Sequence, residues 1–360
     1  MTGAAVAMSG GVDSSVAAFL LKKQGYQVNG FMFTTCGAMR EQDRAGQRKD
    51  IEDARLVAES LKIPFSLLDV SGQFRSSVIE YFADRYLAGE TPNPCVICNQ
   101  TIKFPTALSF ADSCGAQKIA TGHYARVEKD AGTGRFLIKK ARDMHSGGAD
   151  VPKDQSYMLY PLSQEVLSRL LLPIGEYGKE EIREIARENR LVNFRKADSQ
   201  DICFVPDGDY ASFLHTVRSF TDLPGDFKDL AGNVLGQHRG IVHYTVGQRR
   251  GLGISAAEPL YVLRKDPEQN AVILGRNQEL FSDRVKIRET HFIPFDSLTK
   301  PVAVEAKIRY SQNAARALLH PTGKNTALLE FEEPQRAPTP GQSAVFYDGD
   351  ILIGGGIIEF

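Results

Sequence analysis

Three cysteines and one glycine-rich turn are the residues of this chain best suited to chemistry. Cys95 and Cys98 form a CxxC inside TPNPCVICNQTIKF (91–104), and Cys203 ends an acidic, polar run in ADSQDICF (197–204). A thiolate is a nucleophile, a metal ligand and a redox partner, so a CxxC has three readings. It can be half a zinc site, a redox pair, or one active thiol beside a bystander. A second CxxC at zinc-ribbon spacing is absent, so a closed four-cysteine site would have to recruit Cys36, Cys114 or Cys203. Flanked by Ile202 and Phe204, Cys203 also reads by itself as a buried, inert cysteine. The turn is Ser9-Gly10-Gly11-Val12-Asp13-Ser14. Glycine lets backbone N–H groups approach an anion, and a helix starting behind them adds the positive end of its dipole. The turn lacks the GK[ST] ending of a Walker A loop, which argues against a γ-phosphate-handling NTPase.

The elements around these residues can be read from periodicity. Ala4 to Met8 is a short apolar run, a buried parallel strand leading into the turn. From Asp13 onward Val16, Ala17, Phe19 and Leu20 recur at helical spacing, with Lys22 and Lys23 in the last turn and Gly25 as the stop. Residues 28–33 and 63–70 read as further strands and 50–61 as a helix, while 34–49 is polar and reads as loop. This alternation predicts an α/β doubly wound parallel sheet with ligands at the carboxyl ends of its strands. The two prolines and two asparagines of 91–104 predict an irregular segment. IATGHYAR (119–126) reads as a strand entering a glycine-containing loop, with His123 as a ligand contact or a plain loop histidine. PKDQSYMLY (152–160) reads as a polar loop before an apolar helical stretch, and 177–191 as an amphipathic helix with Ile182, Ile185, Ala186 and Leu191 inward.

Past Cys203 the pattern changes. Residues 207–225 read as a short helical linker, and from Lys228 come short strands with frequent turns, among them GNVLGQ, YTVGQ, PLYVLRK and AVILG. With no parallel-sheet signal left, two small all-β, barrel-like domains are expected. The domains are then 1–205, 206–282 and 283–360. GQRRGLGI either closes a barrel corner or lays Arg249 and Arg250 against phosphates. Arg309, Tyr310 and Arg316 combine base and aromatic as a surface that tracks RNA does.

Composition sets bounds. Across 360 residues, 43 basic side chains face 44 acidic ones, which argues against a general polyanion binder but not against a local basic patch. No apolar run reaches membrane-spanning length and no signal-peptide layout opens the chain, so the cytoplasm is the expected compartment and no membrane partner is expected. Five cysteines, an odd number, suggest chemistry or metal binding rather than a disulfide framework.

SGGVDS resembles the pyrophosphate loop of ATP pyrophosphatases, which split ATP between the α and β phosphates. SGGVDSS, TPNPCVICNQTIKF, ATGHYAR, KDQSYMLY, SQDICF, HYTVGQRRGLGI, KIRY and DGDILIGGGII follow in one order, and together they resemble the tRNA-specific 2-thiouridylases over essentially the whole chain. The resemblance implies that Cys98 is the nucleophilic thiol and Cys203 the persulfide carrier. It implies that Ala7, Met8, Ser9, Gly10, Gly11, Val12, Asp13, Ser14, Met32 and Gly122 hold ATP, with Asp13 orienting Mg²⁺ and pyrophosphate. Asn93, Pro94, Cys95, Lys153, Asp154, Gln155, Arg309 and Tyr310 would touch tRNA around the wobble uridine, and a sulfur-carrier protein would donate the persulfide. Between Phe33 and Ile51 the chain departs from the family form, which has a tryptophan segment there; this sequence contains no tryptophan.

The chemistry explains the residue types. Oxygen on C2 of uracil is a poor leaving group, and adenylation turns it into AMP. Sulfur must then arrive as a persulfide, so Cys98 and Cys203 have to meet, and at least one should titrate below the roughly 8.5 of a free thiol. Three alternatives stand beside this reading. They are another adenylating enzyme of the same loop class, a zinc-stabilised RNA-binding module, and an iron–sulfur cluster on Cys95, Cys98 and Cys203 replacing the persulfide.

Overall fold

The computed structural model describes residues 1–38, 44–142, 154–194, 196, 202–205 and 208–359, the Cys36 side chain excepted. Two compact units divide the chain. The first holds residues 1–78, 95–207 and 350–352, and the second 79–94, 208–349 and 353–360.

In the first unit β1 (Gly3–Ala7), β2 (Gln27–Thr34), β3 (Phe65–Asp69), β4 (Lys118–Ala120) and β7 (Leu170–Leu171) form one sheet in the order β3-β2-β1-β4-β7. Every adjacent pair is parallel. Ala4, Ala5 and Val6 of the central strand are wholly buried, as an apolar run covered on both faces must be. Helix α1 (Val12–Lys23) lays Val16, Ala17, Leu20 and Leu21 on the sheet core. Each large side chain so buried is worth about 1.5–3 kcal/mol. Gly25, at φ +88°, turns the chain away after the helix. From β1 the chain runs outward through β2 and β3, then returns to place β4 on the other side of β1. The crevice where the order reverses lies at the carboxyl ends of β1 and β4, the place a doubly wound sheet reserves for ligands. β5 (Ala125–Lys129) and β6 (Phe136–Lys140) form an antiparallel hairpin.

Two sequence expectations in this unit are corrected. The stretch 34–49 is not loop throughout, because helix α2 spans Arg44–Ser60. Its first turns are held by polar bonds that leave no hydrophobic period. The Gln47 side chain accepts from the Thr34 hydroxyl at 2.9 Å and the Thr35 N–H at 3.0 Å, and donates to the Thr35 hydroxyl at 2.9 Å. Beyond the first three, residues 91–104 are not irregular either. Helix Pro94–Cys98 runs through a widened i→i+5 turn, Asn99–Lys103, into helix Phe104–Ser113. Pro94 sits at the helix start, where the missing N–H costs nothing, and Pro92 lies just ahead of it.

Besides helix Glu80–Leu87, the second unit holds helix Tyr210–Val217, capped by the Asp209 carboxylate on the Ser212 N–H at 3.0 Å. A four-stranded sheet follows, of β8 (Gly225–Lys228), β9 (Val234–His238), β10 (Tyr261–Asp266) and β11 (Ala271–Gly275), in the order β10-β11-β8-β9. The β8–β11 pair is parallel, although the sequence carries no parallel-sheet signal here; the long connection through 229–270 permits it. YTVGQ is not a strand. It follows a 3₁₀ turn, Ile241–His243, and Tyr244 and Leu252 fill the core with Phe227, Val262, Val272 and Leu274. Finally β12 (Phe281–Phe292), β13 (Val302–Lys307), β14 (Ala315–Gly323), β15 (Thr326–Arg336), β16 (Ser343–Asp348) and β17 (Ile351–Ile358) form a barrel that β12 and β17 close.

Candidate active site

At the reversal point, Ser9 to Ser14 form the turn between β1 and α1. Gly11 is the helix cap, extended at φ −87° and ψ 163°, and no side chain caps the first turn. The N-terminal amides are therefore left for an anion. Inside the turn the Ser9 N–H donates to the Ser14 hydroxyl at 3.0 Å, and the Ser14 and Ser15 hydroxyls donate to the Gly11 carbonyl at 3.1 and 2.9 Å. Gly10, at φ +72°, packs so closely that a Cβ would strike the Asp50 carbonyl. Its own carbonyl accepts from Asn193 Nδ2 at 2.9 Å and from Lys196 Nζ at 3.1 Å. Lys196 also bridges Asp50 at 2.6 Å and Asp53 at 2.5 Å. Burial opposes its charge, but the two carboxylates outweigh that and raise its pKa.

From the β4 side, Gly122 abuts the turn. A Cβ there would stand 2.7 Å from the Ser14 amide nitrogen, so only glycine fits. Met8 and Met32 are buried. Asp13 Oδ1 accepts from Lys179 Nζ at 2.7 Å and from the Tyr124 hydroxyl at 2.8 Å. Gln155 Oε1 accepts from the Tyr124 N–H at 3.0 Å, and the Tyr124 carbonyl accepts from the Gln155 N–H at 2.7 Å. Asp154 braces the same loop, its Oδ1 accepting from the Ala141 and Ser156 amides at 3.1 and 3.2 Å. Lys153 lies outside the described residues.

The thiols share one neighbourhood. Cys95 and Cys98 occupy helix Pro94–Cys98, Asn93 stands just before it, and Cys203 lies within residues 202–205. None of the three forms a disulfide among the described residues, and Cys95 and Cys203 are on exposed residues. Each is hemmed in by protein nonetheless. Burial pushes Cys203 up to about 12, with Cys98 and Cys95 adding to the rise and Lys103 opposing it. Burial raises Cys98 and Cys95 as well, again against the pull of Lys103. The expectation that one thiol titrates below a free cysteine is thus not met in this state, because crowding and neighbouring sulfurs outweigh one ammonium. Lys103 Nζ stands 3.5 Å from His123 Nε2, and burial with that cation holds His123 well below its usual pKa. The Thr121 hydroxyl pairs with its Nδ1 at 2.7 Å. Asn99, next to Cys98, donates to the Met158 carbonyl at 2.9 Å and so ties the thiol helix to the KDQSYMLY loop.

In the second unit Arg309 turns inward. Its Nη2 donates to the Thr339 hydroxyl at 2.7 Å and the Ala337 carbonyl at 3.0 Å. Tyr310 is exposed, with Lys307 Nζ 5.8 Å from its ring, and Arg249 and Arg250 are exposed. Sequence reading had not singled out Lys103, Tyr124, Lys179, Asn193 or Lys196. Lys103 at least sits inside a stretch already marked by its cysteines.

An anion-cradling turn at the reversal of a parallel sheet, followed by two small β domains, is the layout of a HUP-domain protein with barrel appendages. The chain matches the family described as tRNA methyl transferase HUP domain over residues 3–207. It then matches the tRNA methyl transferase PRC-barrel domain over 211–276 and the aminomethyltransferase beta-barrel domain over 282–358. Among curated proteins it is 46% identical over 359 residues to tRNA-specific 2-thiouridylase MnmA of Clostridioides difficile, covering 98% of this chain and 97% of that one. It is 47% identical to tRNA-specific 2-thiouridylase MnmA 1 of Caldanaerobacter subterraneus subsp. tengcongensis, with the same coverage. The chain belongs to the tRNA-specific 2-thiouridylase family.

Proposed function

We propose that the chain is an ATP-dependent tRNA sulfurtransferase that makes 2-thiouridine at the anticodon wobble position. The observation that carries this reading is the gathering of Cys95, Cys98 and Cys203 around Lys103, in the same unit as the Ser9–Ser14 turn. Methyl transfer, or amide synthesis on the same kind of loop, has no use for paired thiols.

ATP is bound with its phosphates on the α1 amides and the turn. The uracil O2 attacks the α-phosphate, pyrophosphate leaves, and C2 carries an adenylate. Mg²⁺ accompanying ATP would have Asp13 as the carboxylate of the turn and would offset the pyrophosphate charge. A sulfur-carrier protein loads Cys203 with a persulfide. Its terminal sulfur attacks C2 and AMP departs. Cys98 then attacks the Cys203 sulfur, the S–S bond breaks towards the base, and 2-thiouridine leaves with both thiols joined as a disulfide. In the alternative order Cys98 first attacks the persulfide and frees hydrosulfide, which displaces AMP. Both orders oxidise the pair, so an external dithiol must reopen it. A base must leave its stack to be reached at C2, which fits a single-stranded loop as substrate. No helix among the described residues is long and apolar enough to cross a membrane, and tRNA together with a reducing pool fits the cytoplasm.

The test is thiolation of unmodified tRNA with ATP, Mg²⁺ and a persulfide donor, read by retardation on an organomercury gel. Cys98→Ser and Cys203→Ser should each abolish thiolation while tRNA-dependent pyrophosphate release persists. Full activity in either variant overturns the assignment. Cys95→Ser should retain activity; its complete loss, with visible absorption in anaerobic wild-type protein, would favour the iron–sulfur route.

A further inference from the structure

Away from the thiols, one group of side chains in the second unit converges on a single point. His215 stands on helix Tyr210–Val217, Asp222 in the linker after it, and His243 at the end of the 3₁₀ turn Ile241–His243. Among the described residues they are the one group of three His, Cys, Asp or Glu side chains whose ligand atoms all lie within 4.8 Å of one another. His215 Nε2 is 3.0 Å and His243 Nε2 2.9 Å from the same oxygen, Asp222 Oδ2. The second carboxylate oxygen, Oδ1, is buried and has no hydrogen-bond partner among the described residues. A buried acceptor left unmatched is unfavourable, so the fold holds this carboxylate here against its own desolvation.

The surroundings fix the geometry. The His215 ring stacks on Phe220 with centroids 4.3 Å apart and planes 10° off parallel. Gly240, at φ +135°, backs onto the carboxylate, and a Cβ there would stand 3.0 Å from Oδ1. A rigid corner of one carboxylate and two imidazoles results.

We propose that His215, Asp222 and His243 form a binding site for a divalent transition-metal ion of the zinc type, with its remaining position open to water. Two imidazoles and one carboxylate suit borderline ions, whereas Mg²⁺ and Ca²⁺ call for more oxygens. Bonds of about 2.0–2.2 Å in a tetrahedral arrangement put ligand atoms roughly 3.3 Å apart. The observed 2.9 and 3.0 Å spacings need open only by a few tenths of an ångström. His215, whose side chain is 37% exposed, can supply that movement. Each imidazole then turns a bare Nε2 to the ion and keeps its proton on Nδ1. The bound ion clips the linker helix to the turn that introduces Tyr244 and the HYTVGQRRGLGI stretch. This site is independent of the thiol chemistry.

The test titrates chelator-stripped full-length protein with Co²⁺ alone and follows the visible absorption of tetrahedral cobalt. One equivalent should bind, without thiolate charge-transfer bands, and the melting temperature should climb with metal concentration. His215→Ala, on a partly exposed helix position, and Asp222→Asn should both lose the band. A Cys95→Ser/Cys98→Ser/Cys203→Ser variant should keep it. No band in wild type, a band that follows the cysteines, or one that survives His215→Ala in folded protein overturns the proposal.

Discussion

The Tyr124 hydroxyl donates to Asp13 Oδ1 at 2.8 Å while Gln155 grips the backbone of the same tyrosine at both its N–H and its carbonyl. One tyrosine, by its hydroxyl and its backbone, thus joins the first turn of α1 to the loop proposed to meet tRNA. An adenylating enzyme gains from such a link, because ATP should be split only when the acceptor base is present. Tyr124→Phe removes a bond to a charged group, worth about 1.5–3 kcal/mol. The stimulation of pyrophosphate release by tRNA should fall on the order of tenfold or more. Release measured with and without tRNA checks this, and an unchanged ratio rejects the link.

Gly122→Ala puts a methyl 2.7 Å from the Ser14 amide nitrogen, and only backbone can give way. The expected cost is about 1–3 kcal/mol of stability, from overpacking at a rigid contact. ATP affinity should drop further than stability does, since the shifted atoms are those of the phosphate turn. Urea unfolding and calorimetric titration with a non-hydrolysable ATP analogue separate the two effects.

Thiol reactivity should follow the raised titration of the site. With Cys203 near 12 and Cys98 and Cys95 above the ordinary thiol value, few thiolates exist at neutral pH in substrate-free protein. Iodoacetamide labelling should keep rising beyond pH 9, without the plateau of a free cysteine. Lys103→Met removes the one cation pulling these values down, so labelling at a given pH should slow. Peptide mapping by mass spectrometry assigns each rate, and a plateau near neutrality contradicts the prediction.

Lys265 offers a pH test of stability. It is 2% exposed, lies 5.6 Å from the Tyr86 ring, and donates weakly to the Glu90 carbonyl at 3.4 Å. Burial lowers its pKa to about 8, against 10.5 for the free side chain. Between those values the unfolded chain holds a proton that the folded chain has released, so this residue makes stability rise with pH. The slope is at most about 1.4 kcal/mol per pH unit. Subtracting the Lys265→Met unfolding curve from wild type isolates the contribution, since the raised thiols act in the opposite sense. A flat difference from pH 8 to 10 refutes it.

Legibility in the sequence tracked the range of the interaction. Strand β1, the glycine turn and α1 were readable because apolar runs, helical spacing and Gly25 lie within two dozen residues. The first turns of α2 were not, because Gln47, Asp50 and Asp53 hold them through polar partners, and Lys196 is far along the chain. Two prolines in 91–104 suggested irregularity, whereas Pro94 opens a helix. The parallel β8–β11 pair left no local trace. The thiol titration was misjudged because it depends on crowding, which residue types alone do not encode. Lys103, Asn193 and Lys196 escaped notice for a related reason: a lysine or asparagine in a polar stretch looks solvated until its partners are placed.

The barrel of β12 to β17 has one further bearing on recognition. Because β12 pairs with both β15 and β17, the ring of six strands is closed, and the further ladder at the start of β17 is already taken by β6. Little of its edge is left for a guest peptide to join by strand addition. Whatever this domain grips must be met by side chains and turns, which favours a partner read by charge and ring stacking over one read through its own main chain.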